Sequence, residues 1–208
     1  MKAKQATVAE SIRSHVEGFP AGEPFTTANL IRFGTRAAVD QNLARLVRDG
    51  SIERIARGLF VRPAINEYVG KVSPEPAKIA EAVAQSSGSV IQVHGAEAAR
   101  RFQLSTQAPM QSVFWTSGPN REVTVGKTRI RLRHVGSKKL ALAGRPAGTA
   151  LAALWYLGKE HVTPAVIEQI RSKLSEQEFG VLRSETKSMP AWMSNAFIHF
   201  EREYVTAA

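Results

Sequence analysis

The stretch that most constrains the fold is residues 35–62. Thr35 stands before a segment with Val39, Leu43, Leu46 and Val47 at helical spacing, and Gly50 follows it. A threonine ahead of the first periodic residue and a glycine past the last are start and stop signals of an α-helix, predicted here over residues 36–49. Two short β-prone segments come next, residues 51–55 and 59–62, joined by Ala56-Arg57-Gly58. Glycine in so short a loop marks a hairpin, because it takes the positive φ such turns need. A capped helix running straight into a glycine-turned hairpin has few ways to bury both apolar faces. With two helices ahead of it, the pattern is a winged helix-turn-helix.

Those two helices are legible. Thr7-Val8-Ala9-Glu10 has the form of a capping box, Val8, Ile12 and Val16 share one face, and Gly18 and Pro20 stop the segment. Residues 25–33 predict a short second helix capped by Thr26 or Thr27 and ended by Gly34. The outer face of the third helix is expected to show Arg36, Gln41, Asn42, Arg45 and Arg48, and the wing to carry Arg54, Arg57 and Arg62. The major groove admits an α-helix. Arginine pairs there with guanine, and Gln or Asn with adenine. Thr35 and the first N–H groups of the helix suit a phosphate, and Arg57 suits a minor groove or the backbone. The plainer alternative is a winged helix used for protein–protein contact, with a solvated basic face.

Charge favours the first reading. The chain has 208 residues, 28 Lys and Arg against 18 Asp and Glu, and a net charge of +10. A folded domain this basic meets polyanions. Residues 121–145 hold eight basic residues and one acid, Glu122, a local net of +7. In the segment Arg129-Ile130-Arg131-Leu132-Arg133, period two puts three arginines on one face of a strand, about 6.6–7 Å apart, near the phosphate spacing. Lys138 and Lys139 follow. This set is a candidate second contact with nucleic acid or an acidic protein. Neutralisation by acids elsewhere in the fold is the competing reading.

Other chemistry is poorly supported. The chain has no cysteine, which removes disulfides, Cys-ligated zinc and thiol nucleophiles. The five histidines (His15, His94, His134, His161 and His199) are scattered without ligand spacing, so no metal and no cofactor are expected. Gly126-Lys127-Thr128 mimics the end of a phosphate-binding loop, but it lies between two predicted strands and reads as a type I′ or II′ turn. No nucleophile elbow, dinucleotide fingerprint or carboxylate pair is present, and no enzyme is expected. No apolar run is long enough for a transmembrane span, and the first residues lack an apolar signal core, so a cytoplasmic protein is expected.

The prolines at 74 and 76 predict an extended connector over residues 66–76 and a domain boundary near residue 70. Beyond it the reading is a helix from Pro76, a strand over 89–93 and a helix over 95–102. Strands follow over 111–116, 121–125 and 127–134. Helices complete the chain, with Thr163-Pro164 starting one, a second capping box at Ser175-Glu176-Gln177-Glu178, and a last helix over 192–204. The expected fold class is therefore α+β: a winged helix-turn-helix domain in residues 1–70, and a mixed α/β domain in residues 71–208 that ends in a helical segment.

Two stretches carry a family resemblance. Val39 and the run Asn42-Leu43-Ala44-Arg45-Leu46-Val47-Arg48-Asp49-Gly50-Ser51-Ile52-Glu53-Arg54-Ile55-Ala56-Arg57-Gly58-Leu59-Phe60-Val61-Arg62-Pro63 resemble the N-terminal module of AbiEi-type antitoxins of type IV toxin–antitoxin systems. Phe60 stands where that family commonly has Tyr. Gly95-Ala96-Glu97-Ala98-Ala99-Arg100-Arg101-Phe102-Gln103-Leu104-Ser105-Thr106-Gln107-Ala108-Pro109, and then residues 115–126, resemble later stretches of the same family in the same order. The likeness spans roughly residues 7–160. It implies a DNA-binding autorepressor and antitoxin that acts on operator DNA, with a homodimer on DNA as one arrangement, and counters a nucleotidyltransferase-like toxin. The alternative is a stand-alone winged-helix regulator whose C-terminal domain binds DNA, a ligand or another protein.

Overall fold

The computed structural model describes residues 7–68, 70–107 and 110–205. Readings that fall on the first five residues, on Val69 and on Ala108-Pro109 lie outside the described residues. The fold is α+β and ends in helices. It divides into two compact units, Met1–Gly88 with Val123–Arg129, and Ser89–Glu122 with Ile130–Ala208.

The first unit opens with α1 (Val8–Glu17), whose capping box forms as expected: the Glu10 N–H donates to Thr7 Oγ1 and the Thr7 N–H to the Glu10 carboxylate. Strand β1 (Pro24–Thr26), a 3-10 helix (Thr27–Phe33), helix α2 (Arg36–Arg48) and strands β2 (Glu53–Ala56) and β3 (Leu59–Val61) follow. The sheet has the order β1-β3-β2, antiparallel throughout. Three helical segments and this sheet make a winged helix. Its core is Ile12, Val16, Phe25, Leu30, Val39, Leu43, Leu46, Ile52 and Phe60.

Two local expectations are corrected. Phe25 does not begin the second helix; it lies in β1 opposite Phe60, 1% exposed and stacked on Phe19 at 4.7 Å. All three residues of β1 are buried, so the strand shows no alternation to read. The stretch after the wing is not a plain connector either. Ala64–Asn66 (β4) and Gly70–Val72 (β5) pair as a hairpin, and α3 (Pro76–Gln85) then packs on β1. That packing carries the first unit on to Gly88, past the boundary read near residue 70.

The second unit contains β6 (Ile91–Val93), α4 (Gly95–Arg101) and β7 (Ser112–Thr116); β8 (Arg121–Val125) and β9 (Thr128–His134) complete the sheet, with Val123–Arg129 of that hairpin counted in the first unit. The strand order is β6-β7-β9-β8, with β6–β7 antiparallel and β7–β9 parallel. Gly126, at φ +57, turns β8 into β9 with Lys127 on the ordinary side of φ, as in a type II′ turn. Helices α5 (Pro146–Leu157), α6 (Pro164–Lys173), α7 (Glu176–Ser184) and α8 (Ala191–Phe200) complete the unit, and α8 runs on as a π-helical turn, Glu201–Val205.

Helix α5 is buried nearly all round, from Ala147 through Leu154, as an apolar helix must be. Gly95 lets α4 approach it: a methyl group there would collide with Cβ of Tyr156. The second capping box is only half made. Ser175 accepts from the Glu178 N–H at 3.2 Å, but the Glu178 carboxylate turns to Arg145 at 2.7 Å and to the Ala147 N–H at 3.0 Å. It serves the open N-terminus of α5, where a carboxylate is favoured, and so ties α7 to α5. Arg145, and then the Ala147 amide, hold this carboxyl below its usual range. No helix among the described residues is long and apolar enough to cross a membrane.

Candidate nucleic-acid interface

The face of α2 is set by what it buries. Val39, Leu43 and Leu46 are at most 4% exposed. Burying such side chains stabilises by roughly 1.5–3 kcal/mol each, which fixes the rotation of the helix. Thr35 accepts from the Ala38 N–H at 3.3 Å and caps the start. Gly34 permits the tight entry, since an added Cβ would lie 3.0 Å from Val8 Cγ1.

Ala37, Gln41, Ala44, Arg45 and Arg48 are exposed and fall within an arc of roughly 100° opposite that core. Ala37 and Ala44 lie outside the polar set expected on the outer face. The i, i+4, i+7 spacing through Gln41 was the available signal. Their small size lets a groove wall approach, and a methyl group suits the thymine methyl. Asn42 leaves the base-reading set: it is half-buried, and its Nδ2 donates to the Ala38 carbonyl at 2.8 Å. Arg36 is exposed and donates from Nε to Asp40 Oδ2 at 2.9 Å. An exposed i, i+4 pair is worth only a few tenths of a kcal/mol, so this guanidinium exchanges partners easily.

The wing separates its arginines. Arg54 is exposed on β2, and Arg57 is exposed at the tip beside Gly58, whose φ is +71. Arg62 instead donates to the carbonyls of Glu17 and Phe19, both at 2.7 Å, and closes the C-terminal end of α1. Among the described residues Arg45, Arg48, Arg54 and Arg57 have no carboxylate partner. Asp49, the nearest acid in sequence to Arg45 and Arg48, is occupied: the Ser51 hydroxyl and amide, with Arg13, hold its carboxyl below the usual range. Glu53, beside Arg54, pairs with Lys71 at 2.6 Å.

Strand β9 alternates as read. Ile130 and Leu132 are buried, Arg129 and Arg133 are exposed and Arg131 is half-exposed. Arg131 pairs with Glu122 of neighbouring β8 at 2.9 Å, so part of this charge is neutralised internally. Lys138 is exposed, and the Lys139 ammonium lies 5.5 Å from the Trp115 ring centre and 5.4 Å from that of Trp155. No group of three His, Asp or Glu able to hold a metal occurs among the described residues.

Residues 8–181 match a family described as a family of unknown function, DUF6088. The chain matches no curated protein. Among solved structures it is similar to the RV2827C protein from Mycobacterium tuberculosis, at 13% identity over 96% of this chain and 78% of that one, with a TM-score of 0.44.

Proposed function

We propose that this chain, which belongs to the DUF6088 family of unknown function, is a double-stranded-DNA-binding transcriptional repressor acting in the cytoplasm. It reads its operator with α2 and grips the backbone with the wing. The observation that carries this reading is the exposed face of α2, where Gln41, Arg45 and Arg48 lie beside Ala37 and Ala44 and, among the described residues, no acid is paired to either arginine. Bidentate base contact needs such side chains, and unpaired guanidinium groups need not break an ion pair to make it. Arg129, Arg133 and Lys138 supply further backbone contacts, while Arg131 stays paired with Glu122.

A mobility-shift titration with the DNA upstream of the gene tests this. Arg45→Ala is expected to weaken specific binding by about 1–3 kcal/mol. Equal binding by the variant and the parent overturns α2 as the reading helix.

The resemblance of residues 39–63, 95–109 and 115–126 to AbiEi-type antitoxins supports a second part of the proposal. The protein represses its own operon and counters a nucleotidyltransferase-like toxin encoded beside it. Co-expression with the neighbouring gene tests that part. Rescued growth supports it, and unrelieved toxicity, or a harmless neighbour, counts against it.

A further inference from the structure

The second unit contains an open cleft of about 840 Å³, distant in sequence from the DNA-reading helix. Small-molecule sites occupy roughly 300–1,000 Å³. One wall is α8 and its π-helical extension, with Trp192, Asn195, His199, Arg202 and Glu203. The other is the connection from α5 to α6, with Lys159, Val162 and Pro164. No ion pair joins Lys159, His199 or Arg202 to a carboxylate among the described residues, and Glu203 is the one acid in the lining. The cleft therefore attracts anions.

Its composition asks for more than a bare anion. Trp192 is half-buried and held edge-on by Trp155, with ring centres 6.4 Å apart at 88°, so an aromatic wall is presented in a fixed orientation. Val162, Pro164 and Ala196 add apolar lining to the cleft. Asn195 and Glu203 can bond to a base edge or a sugar hydroxyl. From Trp192 to Arg202 the helix rises roughly 15 Å, which separates an aromatic end from a cationic end by about the length of an extended nucleotide. At Glu201 the helix widens to π geometry, and the adjacent Arg202 and Glu203 both line the cleft. Such widened turns recur at functional sites.

We propose that this cleft binds a nucleoside phosphate, with the base against Trp192 and the phosphates held by Lys159 and Arg202. Inorganic phosphate would leave the aromatic end unused, and an acidic peptide would not need a flat ring. The site stands whether or not α2 reads DNA.

Isothermal titration of the full chain with ATP, GTP, CTP and UTP tests it, alongside inorganic triphosphate and a short single-stranded oligonucleotide. Saturable binding of at least one nucleotide, tighter than inorganic triphosphate, is expected. Lys159→Gln and Arg202→Gln should each weaken it about tenfold, the loss of one charge-assisted bond. Trp192→Leu should bring the nucleotide down to the affinity of triphosphate. Unchanged thermal unfolding of the two charge variants, which alter exposed side chains, shows that they fold. Competition by the oligonucleotide would identify a nucleic-acid strand as the source of the base and phosphate, and absence of competition a free nucleotide. No binding of any nucleotide, triphosphate binding as tightly, or charge variants binding like the parent would each overturn the site.

Discussion

Arg57 and Arg62 share one hairpin, and their surroundings give them different work. The Arg62 guanidinium donates to Glu17 and Phe19 carbonyls that have no partner within α1. Arg57 stands in solvent at the tip. Arg62→Ala is expected to cost about 1–2 kcal/mol of stability. Arg57→Ala should leave the unfolding midpoint unchanged and weaken DNA binding. Thermal melts and mobility shifts on both variants check this pair, and the reverse pattern would assign the DNA contact to the base of the wing.

A second residue couples protonation to folding. His94 caps α4 by accepting from the Ala96 N–H at Nδ1, which requires that nitrogen unprotonated. Burial first, and then Arg133 and Lys139, lower its pKa from the ordinary 6.5. The unfolded chain thus takes up this proton at a higher pH than the folded one. Stability is complete above about pH 6.5, falls as pH drops toward the folded value, and changes no further below it. His15, lowered by burial and Arg32, acts in the same direction. His94→Asn retains a capping side chain and should reduce the loss of stability between about pH 7 and pH 5. Urea unfolding at the two pH values reads it, and an undiminished loss would remove His94 as its source.

At the scale of elements, α2 depends on its two ends. Thr35 caps the first turn, and Arg45 and Arg48 sit in the last turn, where cations oppose the helix dipole favourably. Thr35→Ala is expected to destabilise the winged helix by about 1 kcal/mol, with Thr35→Ser close to the parent. Denaturant titration separates them, and equal loss in both would point to packing of the threonine methyl instead of its hydrogen bond. The carboxylate expected to complete the cap of α7 shows how elements compete for such groups. Glu178 has both its own Ser175 turn and the start of α5 within reach, and it bonds the unsatisfied Ala147 N–H and Arg145 there.

For the whole molecule, with its net charge of +10, the proposed DNA binding is expected to be salt-dependent. The slope of log K against log salt counts the phosphates that protein cations neutralise. Replacing Arg54 and Arg57 with Gln should flatten it by about 2, one unit per lost phosphate contact. Arg131→Gln should change it little, because Glu122 already holds that guanidinium. Binding isotherms at several salt concentrations measure both. A large effect of Arg131 would mean that its ion pair opens on DNA.

The sequence by itself determined what depends on neighbours a few residues apart. Caps, glycine stops and helical spacing placed α1, α2, α6 and the alternation of β9 to within a residue or two, because those signals arise inside one turn or one strand. The tertiary structure alone decided what depends on distant partners. Strand β1 exists because Phe25 meets Phe60, and β7 pairs directly and in parallel with β9 although β8 intervenes between them in sequence. Arg62 is withdrawn from the wing by carbonyls up to 45 positions away. Asn42 shows the limit at close range: its bond to Ala38 is local, yet only the rotation imposed on α2 by Val39, Leu43 and Leu46 turns it from the outer face. Which side chains remain free for a ligand follows from burial and pairing in three dimensions, and no local periodicity encodes that.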